Sequence, residues 1–239
     1  MYIVGAGPGA PDLITVRGLT CLRQAEVVLY DRLVDMRLLE ESRPTAERIY
    51  VGKEIGSEDI QQRHTEITMI DRARKGQTVC RLKGGDPCVF GRGAEEARAL
   101  FEAGIPYEIV PGLSSATAVP VSAGIPLTNR NINHSFMVIA GSRSHSLDSP
   151  EWLAARALVK AGGTLVILMG LSRLQVIVES LLSADCSGTI PIAIILNGTL
   201  PAQDCQVGTL ADILQKVHQV KSPGVIVIGD VVSLRMLNH

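Results

Sequence analysis

The feature that most constrains this chain is a repeated alternation of short apolar, β-rich runs with stretches of helical periodicity. The runs predict strands at 2–4, 26–30, 48–51, 78–82 and 108–110, and the intervening periodicity predicts helices at 17–24, 59–75 and 93–103. Gly76 and Gly104 stand where the second and third helices must stop. This rhythm predicts an α/β fold with a mostly parallel sheet covered by helices. After Pro126 the texture changes. Strands predicted at 135–140, 164–169, 191–196 and 225–229 are longer, and helices are expected near 151–161, 172–182 and 210–217. Some of these strands are expected to pair antiparallel, giving a mixed sheet. Pro126, Asn129, Asn131 and Asn133 crowd one loop, which sets the expected domains at 1–128 and 129–239.

Composition narrows the function. The 239 residues carry 23 basic and 24 acidic side chains, a formal net charge of −1, and only 3% are aromatic. A dedicated nucleic-acid binder shows a basic excess, and base stacking needs aromatics, so nucleic acid is not an expected partner. The longest apolar runs, Ile192-Ala193-Ile194-Ile195-Leu196 and Val225-Ile226-Val227-Ile228, fall far short of the ~18–20 residues that cross a bilayer. Met1 leads directly into a strand rather than a signal peptide, so a cytoplasmic protein without membrane partners is expected. The five cysteines form no CxxC pair, and no His/Cys/Asp cluster has zinc or EF-hand spacing, so neither a disulfide framework nor a metal is expected. Charge is uneven: residues 1–128 hold 15 Lys/Arg and 17 Asp/Glu, whereas residues 129–239 hold 8 and 7. The charge-poor second half either holds more sheet core or buries surface against a second subunit.

Gly5-Ala6-Gly7-Pro8-Gly9-Ala10-Pro11-Asp12 directly follows the first strand. Glycines there permit a sharp turn and a close backbone approach to a ligand. Gly5, Gly7 and Ala10 satisfy G-x-G-x-x-G/A, and Asp31 ends the second strand ~20 residues on, which taken alone supports a nicotinamide-dependent dehydrogenase. Two details oppose it. Pro8 and Pro11 lack amide donors that a pyrophosphate site uses, and Asp12 sets a negative charge beside the same phosphate. The loop by itself leaves two readings, an adenosine-type ligand and a purely structural turn.

Further motifs run along the chain: Val4-Gly5-Ala6-Gly7-Pro8-Gly9, Leu29-Tyr30-Asp31-Arg32-Leu33-Val34, Val51-Gly52-Lys53 and Arg81-Leu82-Lys83-Gly84-Gly85-Asp86-Pro87. Phe90-Gly91-Arg92-Gly93 with Glu95-Glu96, Val110-Pro111-Gly112 and Ala123-Gly124-Ile125-Pro126-Leu127-Thr128 follow, then Met169-Gly170, Asn197-Gly198-Thr199 and Lys221-Ser222-Pro223. In this order, over essentially the whole chain, they resemble the tetrapyrrole methylase family, and within it the branch that methylates uroporphyrinogen III. The Gly-Gly-Asp-Pro and Phe-Gly-Arg-Gly pair is what separates that branch from its sisters. The resemblance implies two α/β domains with a cofactor cleft between them, S-adenosylmethionine as methyl donor, S-adenosylhomocysteine as product, and a homodimer. It implies methylation at two ring carbons, giving precorrin-2 for sirohaem or cobalamin synthesis. The alternative it leaves is a sister methylase acting on another corrin precursor. Some relatives carry a fused dehydrogenase–chelatase or synthase domain, and the length of this chain leads to the expectation of a monofunctional form. On the same resemblance, a dimer contact becomes the favoured reason for the charge-poor second half.

The chemistry implied needs placement rather than metal. A pyrrole carbon of the reduced macrocycle is enamine-like and attacks a sulfonium methyl in line, after which a proton must leave the ring. Carried over position by position, the resemblance implies cofactor contacts at Pro8, Gly84, Gly85, Asp86, Val89, Ser114, Ser115, Met169 and Gly198, the last two mainly through backbone. Asp86 suits the donor's ammonium but equally suits the cap of a turn, and Met169 equally reads as a core methionine ending a strand. The substrate is a polycarboxylate, and the planar fork of arginine suits carboxylates, so Arg32, Arg92 and Arg130 are the implied substrate grips. Asp31, Lys53 and Glu95 are the implied catalytic residues: Asp31 as proton acceptor, Lys53 as donor, and Glu95 as a rival base. Beside Arg32, Asp31 also reads as an ion-pair partner that orients that arginine, and Glu95 as a favourable charge at a helix N-terminus.

Several positions depart from the family text. Ala10 stands where Asp is common, Cys88 replaces an apolar or aromatic residue, and Asn129 sits where His is common before Arg130. Gln62 is followed by Thr65 and Glu66 rather than Ile-Asn, and Gly112-Leu113-Ser114-Ser115 replaces the usual Thr-Ala. None removes an implied catalytic group.

Overall fold

Each of the first four strands is short and followed by a helix, so the chain crosses back over the sheet and the strands run parallel. The computed structural model describes residues 1–52, 58–142, 146–218 and 223–236. Strands β1 (Tyr2–Gly5), β2 (Val27–Tyr30), β3 (Glu47–Tyr50), β4 (Val79–Lys83) and β5 (Glu108–Val110) form a parallel sheet in the order β3-β2-β4-β1-β5. Helices α1 (Val16–Gln24), α2 (Met36–Glu40), α3 (Glu58–Arg74) and α4 (Gly93–Glu102) cover it. The strand period of two sorts side chains by parity. Val4, Val28, Cys80 and Leu82 pack with Cys21 and Leu22 of α1 and Leu38 and Leu39 of α2. Ile3, Val27, Leu29 and Val79 pack with Met69 of α3 and Ala97 and Leu100 of α4. Both faces are therefore buried, as the near-continuous apolar strands require.

The second sheet holds β6 (Phe136–Ala140), β7 (Thr164–Leu168), β8 (Pro191–Leu196), β9 (Asp204–Thr209) and β10 (Gly224–Ile228), in the order β6-β7-β10-β8-β9. Only β6 and β7 are parallel neighbours; the other pairs are antiparallel. Helices α6 (Pro150–Lys160) and α7 (Leu174–Ser183) bury Trp152, Ala155, Ile177 and Leu181 against Leu165, Ile167, Ile194 and Ile226. On the other face α5 (Ser115–Ser122) sets Ala116 and Val119 among Val166, Ala193 and Val225.

The chain divides into two compact units, Met1–Ser114 and Ser115–His239. Because α5 packs on the second sheet, the loop at 127–133 sits inside the second unit. There Asn133 ties the loop down, donating to the Leu127 and Ser135 carbonyls and to Thr164 Oγ1. Gly76 and Gly104 end their helices with φ of 77° and 70°. Among the described α-helices and strands, α2, α5 and β9 are not anticipated by the sequence. The last helix, expected over 210–217, shortens to α8 (Ile213–Lys216), because the residues before it carry β9 and its turn.

Candidate functional site

In the first sheet, β1 and β4 are neighbours, but β1 leads on to β2 and β4 leads across to β5. Their outgoing loops part at the strand C-termini, the place where open α/β sheets bind ligands. The two loops are tied together there. Ala6 N–H donates to Lys83 O at 2.7 Å, Gly7 N–H to Gly85 O at 3.2 Å and Gly85 N–H to Gly7 O at 2.7 Å. The loop after β5 joins them: a Cβ on Gly5 would lie 2.6 Å from Gly112 N and 2.7 Å from Gly85 O. Only glycine fits this junction.

These contacts decide the first glycine loop. The Gly7 amide is used by Gly85, and α1 starts only at Val16, after a 3₁₀ turn at Pro11–Leu13 and an N-cap at Thr15. A dinucleotide fingerprint instead runs straight from strand through turn into a helix whose first amides face the pyrophosphate. The dehydrogenase reading is corrected on this geometry.

Asp86 completes the junction. Its Oδ1 accepts from Cys88 N–H at 2.8 Å and its Oδ2 from Gly112 N–H at 3.1 Å. The turn-cap reading is thus realised, and the half-buried carboxylate keeps lone pairs for a further donor. Pro8, Gly84 and Gly85 are half-buried at the same junction, Ser114 follows Gly112 in the loop after β5, and Val89 is exposed in the loop after β4. Phe90 and Leu113 are also exposed on these loops, and Leu33 on the loop after β2, so the strand ends carry apolar surface around a centre of backbone groups and the Asp86 carboxylate.

Beneath this junction lies a buried ionic cluster that sequence reasoning missed. Arg81 and Lys83 share the parity of Val79 on β4, so both point under α4. Arg81 Nη2 lies 2.7 Å from Asp31 Oδ1, and Arg81 Nε lies 3.1 Å from Glu96 Oε1. Lys83 Nζ donates to the same Glu96 oxygen at 2.9 Å, and Gln62 Nε2 reaches it at 3.4 Å. Arg81, Lys83, Glu96 and Gln62 are all buried. Burial works against the Arg81 charge, yet Glu96 and Asp31 outweigh it and raise its pKa; for Lys83, burial and the Arg81 charge prevail and lower it. The expectation that Asp31 pairs with Arg32 is corrected: Asp31 is held by Arg81, while Arg32 is exposed. The signal available in the sequence was two cations at inward positions of a central, fully buried strand, which demand buried anions.

Arg92 and Glu95 are brought together. Arg92 Nη2 lies 2.6 Å and its Nε 2.9 Å from Glu95 Oε2, Nε also lies 3.0 Å from Oε1, and Nη1 reaches Asp59 Oδ1 at 3.2 Å. The Glu95 bond, above all, raises the Arg92 pKa. Arg92 caps α4 in the left-handed region at φ 59°. Among the described residues, six non-glycine residues have positive φ, and Phe90, Arg92, Met169, Asn197 and Thr199 are five of them, all within the motif segments. Such strain concentrates at binding sites.

The second unit contributes its own strand-end features. Met169 follows β7 at φ 57° and is 52% exposed, which corrects the reading of a core methionine. Gly198 follows β8 between two left-handed residues, and a Cβ there would collide with the Val119 side chain. Ser115 opens α5, and Arg130 is exposed in the loop before β6. Lys53, Lys221 and Ser222 lie outside the described residues.

Comparison with known proteins places these features in context. The family model described as tetrapyrrole (corrin/porphyrin) methylases matches residues 1–214. The chain is 44% identical over 237 residues to a uroporphyrinogen-III C-methyltransferase of Methanocaldococcus jannaschii, covering 98% of this chain and 97% of that protein. It is 43% identical to the siroheme synthase of Acinetobacter baylyi, spanning 98% of this chain but only 51% of that longer relative. The crystal structure of a Thermus thermophilus uroporphyrin-III C-methyltransferase complexed with S-adenosylhomocysteine superposes with a TM-score of 0.80 at 34% identity, covering 97% of this chain and 92% of that one.

Proposed function

The chain belongs to the tetrapyrrole (corrin/porphyrin) methylases, and from that premise we propose that it is an S-adenosylmethionine-dependent C-methyltransferase that converts uroporphyrinogen III to precorrin-2 by methylating two ring carbons. The observation that carries the reading is the junction of Gly5, Gly7, Gly85 and Gly112 closed by Asp86, at the strand ends where the family motifs fall. Its fit to the donor is chemical. The missing Cβ atoms of Gly5 and Gly112 let the three loops pack backbone against backbone, so the strand ends present main-chain groups that an adenosine and amino-acid moiety can approach closely. Asp86 supplies a carboxylate for an ammonium, from a position already fixed by two backbone donors. Pro8, Gly84, Val89, Ser114, Ser115, Met169 and Gly198 are assigned to the same ligand.

When bound, the donor supplies a methyl group on a sulfonium; the protein's residues supply position and proton handling. Arg32, Arg92 and Arg130 are assigned to the substrate's carboxylates. Arg92 is already oriented by Glu95 and Asp59. Arg92 holds both Glu95 oxygens in a fork, which commits that carboxylate to orienting the guanidinium, and Asp31, held through Oδ1 by Arg81, is assigned as acceptor of the ring proton, with Lys53 as the donor. Glu95 then acts by aiming Arg92. The same reading includes a cytoplasmic homodimer serving sirohaem or cobalamin synthesis, without nucleic-acid or membrane partners. The test is anaerobic incubation of the protein with S-adenosylmethionine and freshly reduced uroporphyrinogen III. A product carrying two additional methyl groups supports the reading; turnover confined to a later corrin precursor would replace it with the sister-enzyme reading.

A further inference from the structure

We propose that Arg81, anchored by the buried Glu96, is a positioning residue that fixes the Asp31 carboxylate for its proton transfer. The inference rests on the reading of Asp31 as proton acceptor. Strand register brings the two groups within reach: Leu29 of β2 pairs with Arg81 of β4, Asp31 lies just past the end of β2, and the long Arg81 side chain spans the remaining distance. The guanidinium is held at three points. Its Nε donates to Glu96 Oε1 at 3.1 Å, its Nη1 to Leu82 O at 3.2 Å, and its Nη2 to Asp31 Oδ1 at 2.7 Å. A planar fork fixed in this way sets the direction of the third bond. Glu96 is itself immobilised, because Arg81, Lys83 and Gln62 converge on its Oε1.

Burial of this kind is a poor source of stability, since apolar side chains of the same volume usually serve as well or better. What the cluster provides is a rigid floor under one carboxylate. Asp31 is the member that reaches solvent: its side chain is 26% exposed, against 3% for Arg81 and 0% for Glu96. One end of the cluster is locked inside the unit, and the other presents an oxygen at the strand ends where the site is assigned.

The test compares the parent with Arg81→Lys, Arg81→Met, Asp31→Asn and the double variant Asp31→Asn/Arg81→Met, in the full chain. The readouts are kcat and KM for uroporphyrinogen III and calorimetric affinity for S-adenosylhomocysteine. Arg81→Lys keeps the charge but loses the fork, and it is expected to lower kcat by about tenfold or more while KM and product affinity stay within about twofold. The double variant is expected to be no slower than Asp31→Asn alone, because both changes remove one device. Arg81→Lys with parental kcat, or with product affinity lost alongside kcat, overturns the inference, as do losses that multiply in the double variant. Asp31→Asn with parental kcat overturns both the inference and the acid–base assignment beneath it. A slow Asp31→Asn beside fully active Arg81 variants overturns the inference alone. Arg81→Lys carries the test if Arg81→Met does not fold.

Discussion

Asp31 is bonded to Arg81, fifty places further along the chain, and not to the adjacent Arg32: Arg81 Nη2 lies 2.7 Å from Asp31 Oδ1 across the β2–β4 pair. This separates the two neighbours: Arg32 is exposed, while Asp31 is held by a buried guanidinium.

The buried cluster gives the first prediction. Glu96→Ala leaves the Arg81 and Lys83 charges without their shared anion and should cost about 3–5 kcal/mol of unfolding free energy, read from urea titration. Lys83 adds a pH signature. Burial holds its pKa below the ordinary 10.5, so between the folded value and 10.5 the unfolded chain keeps a proton that the folded chain has released. The contribution of Lys83 to stability therefore rises with pH through that interval. The stability gap between parent and Lys83→Gln should widen in the parent's favour as pH is raised from neutral toward 10.5; a constant gap contradicts the assignment.

Asp86 closes the glycine junction and is assigned to the donor's ammonium. Asp86→Ala strands the Cys88 and Gly112 amides, for a loss of about 1–3 kcal/mol, and should weaken S-adenosylhomocysteine affinity by about tenfold or more. Asp86→Asn keeps an acceptor for one amide and should recover part of the stability but little of the affinity. Equal affinities for parent and Asp86→Ala, measured by calorimetry, would remove Asp86 from the ligand's contacts.

Two glycines separate steric from conformational need. A Cβ on Gly112 would lie 2.7 Å from Gly5 Cα and would also strike Gly85 O, so Gly112→Ala must push the loops apart. Gly76 has φ 77° and open space around it, so Gly76→Ala costs only the left-handed conformation, roughly 1–2 kcal/mol. Gly112→Ala should lose more stability and also its donor binding; Gly76→Ala should keep binding intact. Thermal unfolding and calorimetry check both.

Arg92 is 30% exposed and paired with two carboxylates that are more exposed still, so its ion pairs contribute little to stability. Arg92→Ala should change unfolding free energy by less than about 1 kcal/mol, raise KM for the macrocycle and leave donor affinity unchanged. A parental KM would remove Arg92 from the substrate grips.

Much of this architecture was legible in the residues. Every strand of the first sheet lies within a residue or so of its expected ends: β1 and β2 are apolar runs that burial on both faces makes conspicuous, whereas the largely exposed edge strand β3, Glu47-Arg48-Ile49-Tyr50, follows from its place in the strand–helix alternation. The elements that were missed lack that signature. β9 reads Asp204-Cys205-Gln206-Val207-Gly208-Thr209, a polar strand at the sheet edge with little to bury. α5 carries Pro120 and β-branched residues in eight positions, which argues locally against the helix that packing on β10 imposes. α2 has five residues, too few for a periodic pattern. At the site, the glycine junction and the Arg92–Glu95 pair follow motif spacing. The partner of Asp31 does not, because strand order places β4 beside β2 and sequence proximity favours Arg32.

A protein that moves two methyl groups to one macrocycle is tested by counting them. With uroporphyrinogen III generated anaerobically and S-adenosylmethionine in excess, S-adenosylhomocysteine released and macrocycle mass are followed to completion. Two equivalents of S-adenosylhomocysteine per macrocycle, with a product heavier by two methyl groups, is the predicted result. A macrocycle of unchanged mass, under conditions where calorimetry shows the donor bound, would contradict it.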